Sequence, residues 1–233
     1  MRAGLEAAAA RGVAVQAGEV VEPLGQGWLL RDKRGFTPCP WAFPLARFAV
    51  ARPGDRVLDL GTGTGVLLLA LYQACPDLGA GIGLELDARS ADQAARNVRL
   101  AGCPVQIARG DVRDAPFAPQ AFDLVVSNPP FYPPGWGRQS AEARTAGATH
   151  ALAGDVAAFA RAAARALSPH GHAIFVYDAG HLGALLLALA GAGLTVRALR
   201  YLDDDRGRPS RVLARAGRGG AGLTVEREPW TSS

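Results

Sequence analysis

The chain has 233 residues, 49% hydrophobic and 20% charged, which is enough for one α/β domain with small appendages. It lacks a run of the roughly 18 uninterrupted apolar residues that a membrane span needs, and residues 1–17 lack the apolar core of a secretory signal, so we expect a cytoplasmic protein that does not enter membranes. The net charge is +4, but residues 1–54 and 197–233 each contribute +3 and residues 55–196 contribute −2.

Residues 1–54 are predicted to form an N-terminal extension. Val20 to Leu30 indicates two short strands around a glycine turn, and a short helix is expected from about Pro44 to Ala51. Residues 55–233 form the main predicted domain.

In residues 55–233, buried strands alternate with helices. This pattern predicts βαβ units and a mostly parallel sheet of seven strands with an antiparallel closing strand. The predicted strands are Arg56–Leu60, Ala80–Leu86, Val105–Arg109, Phe122–Ser127, Ala173–Tyr177, Leu194–Leu202 and Arg211–Ala214. Such sheets bind their ligands at the carboxyl ends of the strands.

The first strand of this domain leads into a glycine-rich turn. Asp59 lies in the strand, and Gly61, Thr62, Gly63 and Gly65 follow. Alternating glycines let the backbone turn sharply and approach a ligand closely. The spacing differs from the GxGxxG fingerprint of dinucleotide sites. A carboxylate before the turn disfavours a pyrophosphate and suits the ammonium group of a methionine moiety, directly or through water.

Acidic residues close the next two strands. Glu85 stands about 20 residues beyond the glycine turn, where an acid accepts hydrogen bonds from ribose hydroxyls. Asp111 follows the third strand and is a candidate acceptor for an adenine amine. The alternatives are structural, because Glu85 or Asp87 can cap the following helix and Asp111 can cap a turn.

The most specific stretch is Asn128-Pro129-Pro130-Phe131, which directly follows the predicted strand 122–127. Two prolines fix the backbone. The side-chain oxygen of Asn128 and the carbonyl of Pro129 can then accept hydrogen bonds from one NH₂ group, and Phe131 offers a stacking face for the planar group that carries it.

An amine on an aromatic ring or amide is a weak nucleophile because its lone pair is delocalised. Two acceptors favour tetrahedral geometry at its nitrogen and free the lone pair for attack. A strong general base is unnecessary, since the alkylated product is very acidic. The turn accordingly contains neither histidine nor carboxylate.

Together these motifs resemble the class I methyltransferases with an amino target, and most closely the bacterial tRNA adenine-N6 methyltransferases that act beside the anticodon. The resemblance runs from about Gly35 to Leu223 and includes the runs Gly61–Gly65, Asn128–Phe131, Gly135–Arg138 and Gly207–Leu213. One departure is Trp41, near a position where family members often carry an aspartate.

The resemblance implies a Rossmann-like class I methyltransferase fold and S-adenosyl-L-methionine as cofactor. It also implies methylation of the N6 amine of adenine in RNA, at position 37 of a tRNA, with the adenine flipped into the pocket. A protein-glutamine N5-methyltransferase, an rRNA guanine-N2 methyltransferase and an idle RNA-binding module with the same fold remain alternatives.

The remaining expectations concern the basic ends and isolated side chains. Basic ends around a neutral centre suit docking of RNA, although 24 of the 25 basic residues are arginine and the type may simply be abundant. Three scattered cysteines predict neither a metal site nor a disulfide framework. Candidate RNA contacts, each with a packing or solvated-surface alternative, are Tyr132, Trp136, His150, Arg206, Arg208 and Arg211.

Overall fold

The structure is a computed structural model that describes residues 2–33, 39–130, 156–220 and 222–229. The chain divides into two compact units, Met1–Arg109 and Gly110–Ser233. The predicted boundary near residue 54 stays a prediction.

The first unit contains an antiparallel hairpin and three parallel strands that pair in the order β3-β4-β5. Its elements are α1 (Arg2–Ala10), β1 (Glu19–Leu24), β2 (Gly27–Asp32), α2 (Ala42–Phe48), β3 (Val57–Leu60), α3 (Val66–Ala74), β4 (Gly81–Glu85), α4 (Ala88–Ala101) and β5 (Val105–Arg109). The predicted hairpin is therefore confirmed, and the following helix ends at Phe48 rather than near Ala51.

Hydrophobic periodicity explains how this unit packs. All four residues of β3 are buried, as expected for a strand covered on both faces. The hairpin buries Val21 and Leu30 against Ala8 of α1 and Leu100 of α4. α4 also buries Ala91, Ala94 and Val98, whereas charged residues such as Asp92 and Arg99 on the same helix are exposed. α4 therefore has the buried and exposed faces of an amphipathic helix.

In its described residues, the second unit contains five strands that pair in the order β10-β8-β9-β7-β6. β6 and β7 are parallel, β9 is antiparallel to both β7 and β8, and β10 is parallel to β8. Its elements are β6 (Phe122–Ser127), α5 (Val156–Ala166), β7 (Leu167–Asp178), α6 (Leu182–Gly191), β8 (Thr195–Asp203), β9 (Pro209–Gly217) and β10 (Thr224–Glu228), with 3-10 turns at Val112–Asp114 and Ala179–His181.

All seven strands predicted for the main sheet are present, as β3 to β9. Two features differ from the prediction. β7 begins at Leu167, six residues before the predicted start at Ala173, so His170 and His172 lie in the strand. β10 was not predicted because it is short and charged. Arg200 of β8 pairs with Glu226 and Glu228, and these ion pairs attach the edge strand.

None of the helices in the described ranges is long and apolar enough to cross a membrane.

Candidate functional site

The glycine turn after β3 depends on left-handed backbone. Gly61, Gly63 and Gly65 have φ angles of 71°, 56° and 85°, a region that only glycine enters without strain. The N–H groups of Gly61 and Thr62 both donate to the carbonyl of Leu84, at 2.9 and 3.0 Å. The end of β4 therefore holds the turn in place.

Asp59 is fully buried beneath this turn. Its Oδ2 accepts a hydrogen bond of 2.7 Å from Thr62 Oγ1. Its Oδ1 is buried and has no hydrogen-bond partner within the described residues. Burial raises the pKa of Asp59 to about 7, the Thr62 hydrogen bond opposes that rise, and the charge of Glu85 adds to it. A cationic donor that reached Oδ1 would stabilise the ionised carboxylate.

Glu85 links the end of β4 to the glycine turn. Its Oε2 accepts from the N–H of Gly63 at 2.8 Å, and its Oε1 accepts from the N–H of Asp87 at 2.9 Å. Each carboxylate oxygen can accept a further hydrogen bond. A Cβ at Gly63 would meet nothing within 4 Å, so the turn faces open space here. The predicted contact with ribose hydroxyls stays a prediction.

The capping alternative holds for Asp87. This residue is the N-cap of α4, and its Oδ2 accepts from the N–H of Ser90 at 2.8 Å and from Ser90 Oγ at 2.9 Å. Asp87 therefore caps the helix, and Glu85 is the acid whose carboxylate contacts the glycine turn.

Asn97 is a residue that the sequence reasoning missed. It is fully buried on α4. Its Oδ1 accepts from the N–H of Leu30 at 2.7 Å, and its Nδ2 donates to the carbonyls of Leu30 and Thr64, both at 2.9 Å. One side chain thus connects β2, α4 and the glycine turn. The available signal was an amide on the mostly apolar face of an amphipathic helix, a face on which Gln93 is also buried.

In the second unit, Asp111 caps the 3-10 turn that follows β5. Its Oδ1 accepts from the N–H of Arg113 at 2.8 Å, and both of its carboxylate oxygens also contact the Arg113 guanidinium. These hydrogen bonds from Arg113 lower the pKa of Asp111. The carboxylate therefore stays ionised and can act only as an acceptor. Its predicted contact with an adenine amine remains a prediction.

The Asn-Pro-Pro turn follows β6 as predicted. Ser127 ends the strand fully buried, and Pro129 is buried two residues later. Asn128 Oδ1 is buried and has no hydrogen-bond partner in the part of the chain that the structure describes. A buried acceptor in this state costs about 1–3 kcal/mol. The turn therefore presents a rigid acceptor that an N–H donor would satisfy. Phe131, Tyr132, Trp136 and His150 lie outside the described residues.

The arginines between β8 and β9 have local partners. Asp204 Oδ1 accepts from the N–H groups of Arg206 and Arg208, at 3.0 and 2.8 Å, and Asp204 pairs with the Arg208 guanidinium. Arg211 Nη1 lies 3.1 Å from Asp178 Oδ2 in a half-buried ion pair. Arg211 therefore also has a structural role at the end of β7.

A family model described as a methyltransferase domain matches residues 57–143. Among curated proteins, the tRNA1(Val) (adenine(37)-N6)-methyltransferase of Tolumonas auensis is 34% identical over 151 residues, covering 64% of this chain and 62% of that protein. The Salmonella typhi protein of the same name is 43% identical over 94 residues, covering 39% and 38%. The matches thus span less than two thirds of each relative.

Solved structures share the fold at low sequence identity. A predicted O-methyltransferase from Agrobacterium tumefaciens has a TM-score of 0.60 at 17% identity and covers 81% of this chain and 85% of its own. An S-adenosylmethionine-dependent methyltransferase from Aquifex aeolicus has a TM-score of 0.57 at 15% identity and covers 77% and 93%. The fold is a methyltransferase fold. The resemblance to class I methyltransferases predicted from the sequence is confirmed.

Proposed function

We propose that the chain transfers a methyl group from S-adenosyl-L-methionine to the N6 amine of an adenine in RNA, at position 37 of a tRNA, in the cytoplasm. The observation that carries the proposal is the buried Oδ1 of Asn128, which has no hydrogen-bond partner in the described ranges and lies in a turn whose prolines fix its position. The names of the similar curated proteins support adenine in tRNA as the acceptor.

The first unit fits this cofactor on three observations. The turn is made of left-handed glycines and faces open space at Gly63. Asp59 offers an ammonium group a carboxylate oxygen, Oδ1, that has no partner within the described part of the chain. Glu85 is oriented by two backbone N–H groups and retains capacity for hydroxyl donors. When bound, S-adenosyl-L-methionine supplies an electrophilic methyl group on a sulfonium.

The second unit supplies the acceptor chemistry. Asn128 Oδ1 would accept from one hydrogen of the exocyclic amine, and the carbonyl of Pro129 would accept from the other. The two bonds favour tetrahedral geometry at nitrogen, which makes its lone pair available. The nitrogen becomes cationic on methylation and then loses a proton to water. The Asn-Pro-Pro turn therefore contributes positioning and dipoles.

Two alternatives present the same NH₂ group to the same turn. A glutamine side-chain amide would make this chain a protein N5-methyltransferase, and the N2 amine of guanine would make it an rRNA enzyme. An idle binding module is disfavoured because the chain keeps a carboxylate, Asp59, in a fully buried position, where burial raises its pKa to about 7 and disfavours its ionised form. A module without a cofactor would gain stability by losing that carboxylate.

The deciding experiment incubates the purified chain and radiolabelled cofactor with total tRNA, total rRNA and ribosome-associated proteins. We expect label in tRNA, recovered after digestion as N6-methyladenosine. A tRNA whose position 37 is guanine is the matched control and should remain unlabelled. Label only in protein glutamine, or only in rRNA N2-methylguanosine, would refute adenine as the acceptor. It would still agree with methylation of an NH₂ group at the Asn-Pro-Pro turn.

A further inference from the structure

A groove in the second unit lies between the segment after β5 and helix α5. It has a volume of about 240 Å³. Within the described residues, the charged side chains that line it are all arginines: Arg113, Arg161 and Arg165. Because Arg113 also holds Asp111, the groove begins beside that carboxylate. The groove has no role in the chemistry described above.

Among the described residues, no carboxylate pairs with either of the two arginines of α5. Arg161 and Arg165 are four residues apart, so they lie on the same face of the helix. Both are exposed, and neither side chain forms an ion pair with a described residue. Like charges at this spacing destabilise a helix. An anion bound between the two guanidiniums would remove that repulsion.

The remainder of the groove is shaped for a planar apolar group. Phe117 lines it and is only partly buried. The ring is held by an edge-to-face contact with Phe122, with centroids 5.5 Å apart. Ala158 and Ala162 of α5 also line the groove, and their side chains are small and apolar.

We propose that this groove binds a single-stranded segment of the substrate RNA. Arg161 and Arg165 contact backbone phosphates, and Phe117 stacks on an unpaired base. Basic grooves with an aromatic platform bind unpaired nucleic acid through these two contacts, while a duplex keeps its bases stacked away from the ring. The inference rests on the proposed RNA substrate and adds to it a second contact outside the acceptor turn.

The first test measures binding of a fluorescent anticodon stem-loop across a salt series, with S-adenosylhomocysteine present. Arg161→Gln/Arg165→Gln should weaken binding by about tenfold and reduce the slope of log K against log salt by about 1.4, the value for two contacts to single-stranded phosphates. The matched control is Arg56→Gln/Arg99→Gln, which removes the same charge from exposed positions of the first unit that lie outside both basic ends, and it should change RNA binding little.

The second test separates stacking from charge. Phe117→Leu keeps apolar volume against Phe122 and removes the aromatic face. It should weaken stem-loop binding several-fold, as loss of one base–aromatic stack does, and leave binding of a duplex with equal phosphate count unchanged. S-adenosylhomocysteine binding should match the wild type for all variants. Thermal melting should show each of them folded, with Phe117→Leu melting slightly lower because it loses the edge-to-face contact with Phe122.

The outcomes also separate this proposal from the proposed function. If Arg161→Gln/Arg165→Gln binds the stem-loop as well as the control variant does, the groove does not contact RNA. Equal losses on stem-loop and duplex in Phe117→Leu would overturn the single-strand assignment. If the wild type methylates no RNA nucleoside but the groove variants still lose affinity for the stem-loop, the proposed function is wrong and the proposal that the groove binds RNA is supported.

Discussion

The glycine turn and the Asn-Pro-Pro turn are built in opposite ways. The glycine turn is held by hydrogen bonds to three residues outside it. Its N–H groups donate to the carbonyl of Leu84 and the carboxylate of Glu85, and its Thr64 carbonyl accepts from Asn97. The Asn-Pro-Pro turn is held by proline geometry, and its most important oxygen, Asn128 Oδ1, has no hydrogen-bond partner among the residues that the structure describes.

This contrast shows how each region would contribute to function. A turn that already satisfies its backbone can present the same surface to a cofactor in every cycle. An acceptor that is buried without a partner costs stability in the free protein, and a substrate amine would recover that cost. The four predictions below test the contrast, beginning with the largest expected effect.

Asn128→Ala should lower single-turnover methyl transfer by about 10²–10³-fold, as removal of one preorganised hydrogen-bonding group from a transition state does. Its unfolding free energy should be at or above that of the wild type, by up to about 1–3 kcal/mol, because the substitution removes a buried oxygen that has no partner among the described residues. The measurements are rapid-quench transfer to a tRNA with adenine at position 37, and denaturant unfolding.

Asn128→Asp is the matched control for size, since it keeps an acceptor and removes the amide nitrogen. Cofactor affinity should be unchanged in both variants. A wild-type rate in Asn128→Ala would show that the two-acceptor account of amine activation is wrong.

Glu85→Ala should weaken binding of S-adenosylhomocysteine by about 1–3 kcal/mol, the range for loss of charged hydrogen bonds. The side chain also fixes Gly63 and Asp87 through their N–H groups, so some of the loss comes from the turn itself. Glu85→Gln keeps one acceptor oxygen, so its affinity for S-adenosylhomocysteine, measured by calorimetry, should lie between those of the wild type and Glu85→Ala. If Glu85→Ala binds S-adenosylhomocysteine as tightly as the wild type does, Glu85 does not contact the cofactor.

Asp59 should give the protein a characteristic pH dependence. Its folded pKa of about 7 lies above its ordinary value of 3.8, so the folded state holds the proton more tightly. Its contribution to stability is therefore greatest below pH 4 and is lost as pH rises to about 7, by at most about 1.4 kcal/mol per pH unit. Above pH 7 that contribution stays at its lowest value.

Asp59→Asn tests this dependence. The stability of the variant relative to the wild type should increase between pH 4 and pH 7 and then level off. Cofactor affinity of the wild type should rise over the same range as the carboxylate ionises, whereas the variant should bind about tenfold more weakly with little pH dependence. Parallel pH profiles for both proteins would contradict a titrating Asp59.

Most of the fold was accessible from the sequence because strands buried on both faces give short, strongly apolar runs, such as Val57–Leu60 and Phe122–Ser127. β10 was missed for the opposite reason. Its five residues are mostly exposed, and ion pairs with Arg200 and between Arg227 and Asp203 attach it instead of apolar burial. The composition of a short segment does not predict ion pairs with residues that are more than 20 positions away in the chain.

The candidate site was predictable where a motif fixes the backbone, as at Gly61–Gly65 and Asn128–Pro130. It was not predictable where function depends on partners distant in the chain. Asn97 reaches Leu30, 67 residues away. The choice between Glu85 and Asp87 as the helix cap likewise depends on side-chain direction, which spacing alone does not determine.

The smallest expected effect concerns the turn between β8 and β9. Arg206→Gln/Arg208→Gln should weaken tRNA binding by only a few-fold and lower the salt slope by less than the roughly 1.8 expected for two full duplex phosphate contacts, because Asp204 already offsets the charge of Arg208. Arg211→Gln is the matched control. Its ion pair with Asp178 is half-buried, so its loss should lower thermal stability without changing the salt slope. An unchanged slope in the double variant, with a lowered slope in Arg211→Gln, would place the RNA contact on the strand end instead of the turn.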